Sequence, residues 1–172
     1  MIRNTAVTVC GPLNVNKLGV TYVHEHLMVK PQLPDEYYIP YTLDDEAAST
    51  EETRSFSAAG GETLVEMTPI NYGRNVKAYQ RIAQATGVHV ICCTGFHKQL
   101  FMPPWFGDKT DGELYDILMD EVTNGLDGTE IHPGVIKLGT SFEEVTAAEK
   151  RSIEAVARVH RDTGIPISTH CD

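Results

Sequence analysis

No CxxC pair, no glycine-rich phosphate loop and no long apolar run occur in this 172-residue sequence. Each absence narrows the field. Without CxxC spacing a zinc knuckle is disfavoured. Without a glycine-rich turn after the first strand, a dinucleotide-binding sheet lacks its phosphate cradle. Without roughly 20 consecutive apolar residues there is no candidate membrane helix, and the opening Met-Ile-Arg-Asn-Thr-Ala lacks the apolar core of a signal peptide. Positive charge is scarce too, with 14 Lys and Arg against 24 Asp and Glu and a formal net charge of −10. That balance argues against nucleic acid and against an anionic membrane surface as partners. A soluble, cytoplasmic protein is expected.

The four cysteines form no framework. Cys92 and Cys93 are neighbours in an apolar stretch, so as strand residues they point to opposite faces and cannot readily pair. Together with Cys10 they read as small buried side chains in a reducing compartment. Cys171 stands beside His170, and its reading stays open.

What the chain does contain is alternation. Residues 5–10 and 19–23 are short β-prone runs around Gly11-Pro12 and read as an N-terminal hairpin leading into a first strand that ends at His24-Glu25-His26. A loop follows with Pro31, Pro34, Tyr37, Tyr38, Pro40 and Tyr41. Helices are expected over residues 43–59, 75–86 and 111–124, and from a capping box at Thr146–Glu149 to about Arg161. Further strands are expected over 63–67, 88–94, 135–138 and 165–170. Continuously apolar strands separated by helices of this length indicate parallel βαβ units with right-handed crossovers. The fold class is α/β. With metal-ligand residue types at the C-terminal ends of strands one, four and five, the favoured architecture is a TIM (β/α)₈ barrel. About 250 residues make a complete barrel, so residues 1–172 are expected to be a single domain holding roughly the first five βα units.

His24 and His26 stand two apart at a strand end, so both imidazoles share one face, inward in a barrel, and can share one metal. Glu25 then faces the helices. His170 is either a hydrogen-bonded core histidine or a ligand; with three histidines on one rim, the ligand reading moves ahead. Lys137 lies on a strand expected to be buried on both faces, where an ammonium is costly. It either snorkels, pairs with Glu66, or has a depressed pKa and reacts as a neutral amine with carbon dioxide to give a metal-bridging carbamate. His97, just past the third strand, is a candidate substrate-pocket residue or a solvated loop histidine. Phe96, with Trp105 and Phe106, either walls an apolar pocket or pins the loop. His89 is at the wrong strand end, His132 is in a loop and His160 is late in a helix.

These segments carry a resemblance. Val9-Cys-Gly-Pro12, Leu18-Gly-Val-Thr21, His24-Glu-His-Leu27, Cys93-Thr-Gly-Phe96, Gly125-Leu-Asp-Gly-Thr129, Gly134-Val-Ile-Lys-Leu-Gly-Thr140 and Pro166-Ile-Ser-Thr-His170 resemble, in the same order, the phosphotriesterase family of the amidohydrolase superfamily. The resemblance implies a barrel hydrolase with two divalent metal ions, zinc or a similar ion, and a metal-activated hydroxide attacking an ester, lactone or phosphoester. By position, His24 and His26 would bind the more buried metal, His170 the more exposed one, and a carboxylated Lys137 would bridge them. The family's remaining ligands, a histidine from strand six and an aspartate from strand eight, are expected beyond Asp172. The implied partner is a small-molecule substrate, and a complete chain is expected to dimerise. The alternative is a catalytically incompetent half-barrel that binds metal in part and needs a partner segment.

Overall fold

Five parallel strands form one curled sheet in the computed structural model, which describes residues 4–32 and 41–172. The chain enters through an antiparallel hairpin, β1 (Thr5–Thr8) and β2 (Gly11–Asn14). The sheet follows in sequence order: β3 (Thr21–Glu25), β4 (Thr63–Glu66), β5 (His89–Gly95), β6 (Val135–Thr140) and β7 (Ile167–Cys171). Helices α1 (Glu46–Ala58), α2 (Val76–Thr86), α3 (Asp111–Asn124) and α4 (Ala147–Thr163) make the crossovers. This is the front part of a TIM barrel, as the strand–helix alternation predicts. Of the tyrosine- and proline-rich loop, Pro34, Tyr37, Tyr38 and Pro40 fall outside the described residues.

Apart from shifts of about two residues at other element ends, two differences from the sequence expectation stand out. The hairpin closes between Thr8 and Gly11, pairing Val7 with Pro12, and residues 19–23 take no part in it. Pro12 is tolerated because β2 has β1 as its one named partner, and proline has no N–H to offer a second. Residues 21–25 join β4 instead, with Thr21 opposite Thr63. The first helix also starts later than expected. Asp45 accepts hydrogen bonds from the Ala47 and Ala48 amides and so sets the N-terminus, while Leu43 bonds back to Val29 in an isolated bridge.

Strand alternation divides the core into two layers. On the helix side, Leu64, Val90 and Cys92 pack with Val76, Tyr79, Ile82 and Ala83, which recur every three or four residues along α2. Farther along, Phe96 and Ile136 pack with Leu114 and Leu118 of α3 and with Ala155, Val156 and Val159 of α4. The Val, Leu, Ile and Phe side chains among these contribute about 1.5–3 kcal/mol each when fully buried. Met67, Ile91, Cys93 and Val135 form the inner layer. Cys92 and Cys93 therefore do face opposite ways. Cys10, expected to be buried, is exposed at the hairpin turn. Capping boxes at Thr110–Glu113 and Thr146–Glu149 start α3 and α4. Among the described residues no helix is long and apolar enough to cross a membrane.

Candidate active site

A β-bulge aims the first two histidines. Tyr22 pairs with Leu64 and Glu25 with Glu66, so β3 spends three steps where β4 spends two. Tyr22 packs its ring on Phe56 of α1, on the helix side, at 4.8 Å. Strict alternation from Tyr22 would send His24 the same way. The extra residue reverses this, and His24 turns to the inner face, where its Nε2 lies 2.8 Å from Lys137 Nζ. His26 follows on that face, its ring centroid 5.5 Å from that of His24.

Lys137 comes from the middle of β6 and is fully buried. Two glycines let neighbouring backbone close around it. A Cβ at Gly95, the residue opposite Lys137 on β5, would fall 2.1 Å from the Lys137 carbonyl oxygen. A Cβ at Gly139 would fall 2.5 Å from the Lys98 nitrogen. The ion pair with Glu66 considered from the sequence is not formed. Glu66 instead accepts from the Leu27 and Thr68 amides.

His170 is on β7 opposite Gly139, half-buried, 6.2 Å from the His24 ring and 4.7 Å from the His97 ring. Its Nε2 contacts Asp172 Oδ1 at 2.6 Å, and Lys98 pairs with the same carboxylate. His97 is buried rather than solvated, and its Nδ1 accepts the Lys98 amide at 2.7 Å. Its ring also meets Tyr72 at 4.9 Å and Phe101 at 4.7 Å. Tyr72, which the sequence reading did not single out, bridges His97 to His26, 5.8 Å away.

Phe96 is not brought into this group. It is fully buried in the helix-side core against Phe106 and Trp105, one residue from His97 and so on the opposite face. It supports the rim from behind. His132 and His160 lie elsewhere, bonded to the Val122 and Ile165 carbonyls. A cavity of about 1010 Å³ opens between the hairpin and the 129–134 loop. None of the clustered histidines lines it, so size does not locate the chemistry.

Burial keeps the imidazoles neutral. Desolvation, then the charges of Lys137 and His170, lowers His24 to about 4. Desolvation and Lys137 likewise lead the causes that lower His26 to about 3 and His97 to about 2. Desolvation lowers Lys137 to about 8, against opposing pulls from Cys93 and Glu66. Neutral imidazoles keep a lone pair for a metal, and a lysine this easily deprotonated is open to carboxylation. Among the described residues no three His, Cys, Asp or Glu side chains form a metal-holding group by themselves. The donor set fits a divalent ion when Lys137 supplies an oxygen donor as its carbamate.

The sequence profile of the phosphotriesterase family matches residues 4–172. The phosphotriesterase homology protein of Escherichia coli is 32% identical over 159 residues, covering 92% of this chain and 54% of that protein. The N-acetyltaurine hydrolase of Danio rerio is 31% identical over 199 residues, covering 98% and 57%. A solved lactonase from Listeria monocytogenes superposes with a TM-score of 0.88 at 30% identity, over 97% of this chain and 56% of that one. The chain thus spans about half the length of the curated relatives it matches.

Proposed function

The chain belongs to the phosphotriesterase family, and we propose that it is the N-terminal, single-domain portion of a metal-dependent hydrolase acting on a small lactone, ester or phosphoester. The observation that carries this reading is the convergence of Lys137 Nζ on His24 Nε2 at 2.8 Å, with His26 and His170 beside it. His24, His26, His170 and carboxylated Lys137 would hold two divalent ions, zinc by donor type. Such ions, when bound, supply Lewis acidity and a water nucleophile ionised near neutral pH.

The chain's own residues prepare the site. The Lys137 ammonium first loses a proton, and the neutral amine adds to carbon dioxide, forming an N–C bond and releasing a second proton, so that an anionic oxygen donor replaces a buried cation. His97 accepts at Nδ1, so its neutral ring carries its proton on Nε2 and offers it to a substrate oxygen at the rim. The relatives' names include a phosphotriesterase homology protein, a lactonase and an N-acetyltaurine hydrolase, and so select no one of these bond types.

A second reading has its own support. β3 and β7 each have one strand neighbour among the described residues, and Tyr22 and Val23 on β3 are 53% and 69% exposed. A half-barrel of this kind would bind metal in part and require a partner segment. Zinc analysis of the purified chain, with turnover assays on a γ-lactone, an N-acyl amide and a phosphotriester, separates the two readings. Zinc with turnover supports the hydrolase. A folded chain without turnover, holding zinc in part or not at all, supports the half-barrel.

A further inference from the structure

We propose that Glu66 and Thr68 are positioning residues that hold His26 as its Nδ1–H tautomer, with the Nε2 lone pair turned to the mouth of the site. Glu66 is fully buried on the helix side of β4. Its Oε1 accepts from the Leu27 amide at 3.2 Å and from the Thr68 hydroxyl at 2.5 Å, and its Oε2 accepts from the Thr68 amide at 3.0 Å. The two backbone amides donate one to each carboxyl oxygen, and the ionised group can only accept, so the Thr68 hydroxyl donates to it as well.

The direction of the next bond then follows. A threonine hydroxyl has one proton, and Thr68 gives it to Glu66. Toward His26 Nδ1, 2.8 Å away, Thr68 has only a lone pair to offer. His26 must therefore donate from Nδ1, which leaves Nε2 unprotonated in the neutral ring. Glu66 does not reach the imidazole itself, since Oε1 is 4.0 Å from Nδ1. The Leu27 amide pins the residue after His26 to the same carboxylate, so the backbone and the ring share one anchor.

A carboxylate acting on a ligand histidine through its far nitrogen is a recurrent way to set ring orientation and raise donor strength, and its loss costs about 10–100-fold in metal affinity. The metal half of this inference rests on the ligand reading above; the tautomer half does not. Nitrogen-15 NMR of the imidazoles in the metal-free chain reads the tautomer directly, and zinc titration against a chromophoric chelator reads affinity. Wild type should show His26 protonated on Nδ1. Thr68→Val should give a tautomer mixture and zinc binding about 10–100-fold weaker, while Thr68→Ser restores both. Wild type protonated on Nε2, or a folded Thr68→Val variant with unchanged tautomer and affinity, would overturn the proposal. A chain that keeps the Nδ1–H form yet binds no zinc would support the positioning and sink the metal reading instead. Thermal denaturation of both variants controls for folding, and rescue by serine excludes a purely packing effect.

Discussion

Lys137 Nζ and His24 Nε2 meet at 2.8 Å across 113 positions of sequence. One comes from the fourth strand of the sheet and the other from the first. Burial opposes a charged ammonium in that place, while Cys93 and Glu66 pull the other way.

Lys137→Ala should remove the oxygen donor that lets two ions share the site. Bound zinc, measured by elemental analysis after dialysis, is expected to fall to background, and native mass spectrometry of the wild type should show an added carbon dioxide. Unchanged zinc content in a folded Lys137→Ala chain would sink the bridging role.

Acid should destabilise the metal-free chain. His24, His26 and His97 titrate near 4, 3 and 2 when folded, against 6.5 ordinarily. The unfolded chain therefore binds more protons in this window, and stability is lost as pH falls below 6.5. Glu66, raised to about 7 from 4.5 chiefly by burial, works the other way between those values, one group against three. The urea midpoint should drop between pH 6.5 and 3, with a shallower slope in His97→Gln. A flat midpoint over that range would contradict the neutral-histidine cluster.

Gly95→Ala should damage the site from the backbone side. Gly95 has φ of 108°, and its new Cβ would strike the Lys137 carbonyl. Overpacking of this kind costs about 1–3 kcal/mol, with left-handed strain in addition. Zinc affinity and urea stability are both expected to fall. A Gly95→Ala chain with wild-type values for both would show that β5 and β6 can part without cost.

Arg74→Met should be the most destabilising of these changes. The arginine side chain is only 4% exposed, forks onto Glu121 and Asp127, and donates to the Cys93 carbonyl. Removing it strands the Glu121 carboxylate, at about 3–5 kcal/mol. Adding Glu121→Met should recover part of that loss in urea denaturation, because the unpaired charge goes too. No recovery would mean that packing rather than charge dominates.

Local signals were legible in the sequence because their causes are local. Thr146 and Glu149 meet within one helical turn, so the capping box could be read directly. The apolar strands and their spacing imposed parallel βα units, and period two put His24 and His26 on a common face. That same period places Phe96 and His97 on opposite faces, but only one of them could reach the cluster. Which one did so depended on how β5 registers with β6, a contact between distant segments.

The sequence by itself determined the element types, the parallel α/β architecture and the residue types at the strand ends. Only the tertiary structure decided which way those residues point. The bulge between Tyr22 and Glu25 turns His24 inward, and it exists because β3 must match β4 at both ends. The Glu66–Thr68–His26 chain likewise joins groups about forty residues apart. Side-chain period orders faces relative to one another, but which face meets the helices is settled by strand register, which no local stretch encodes.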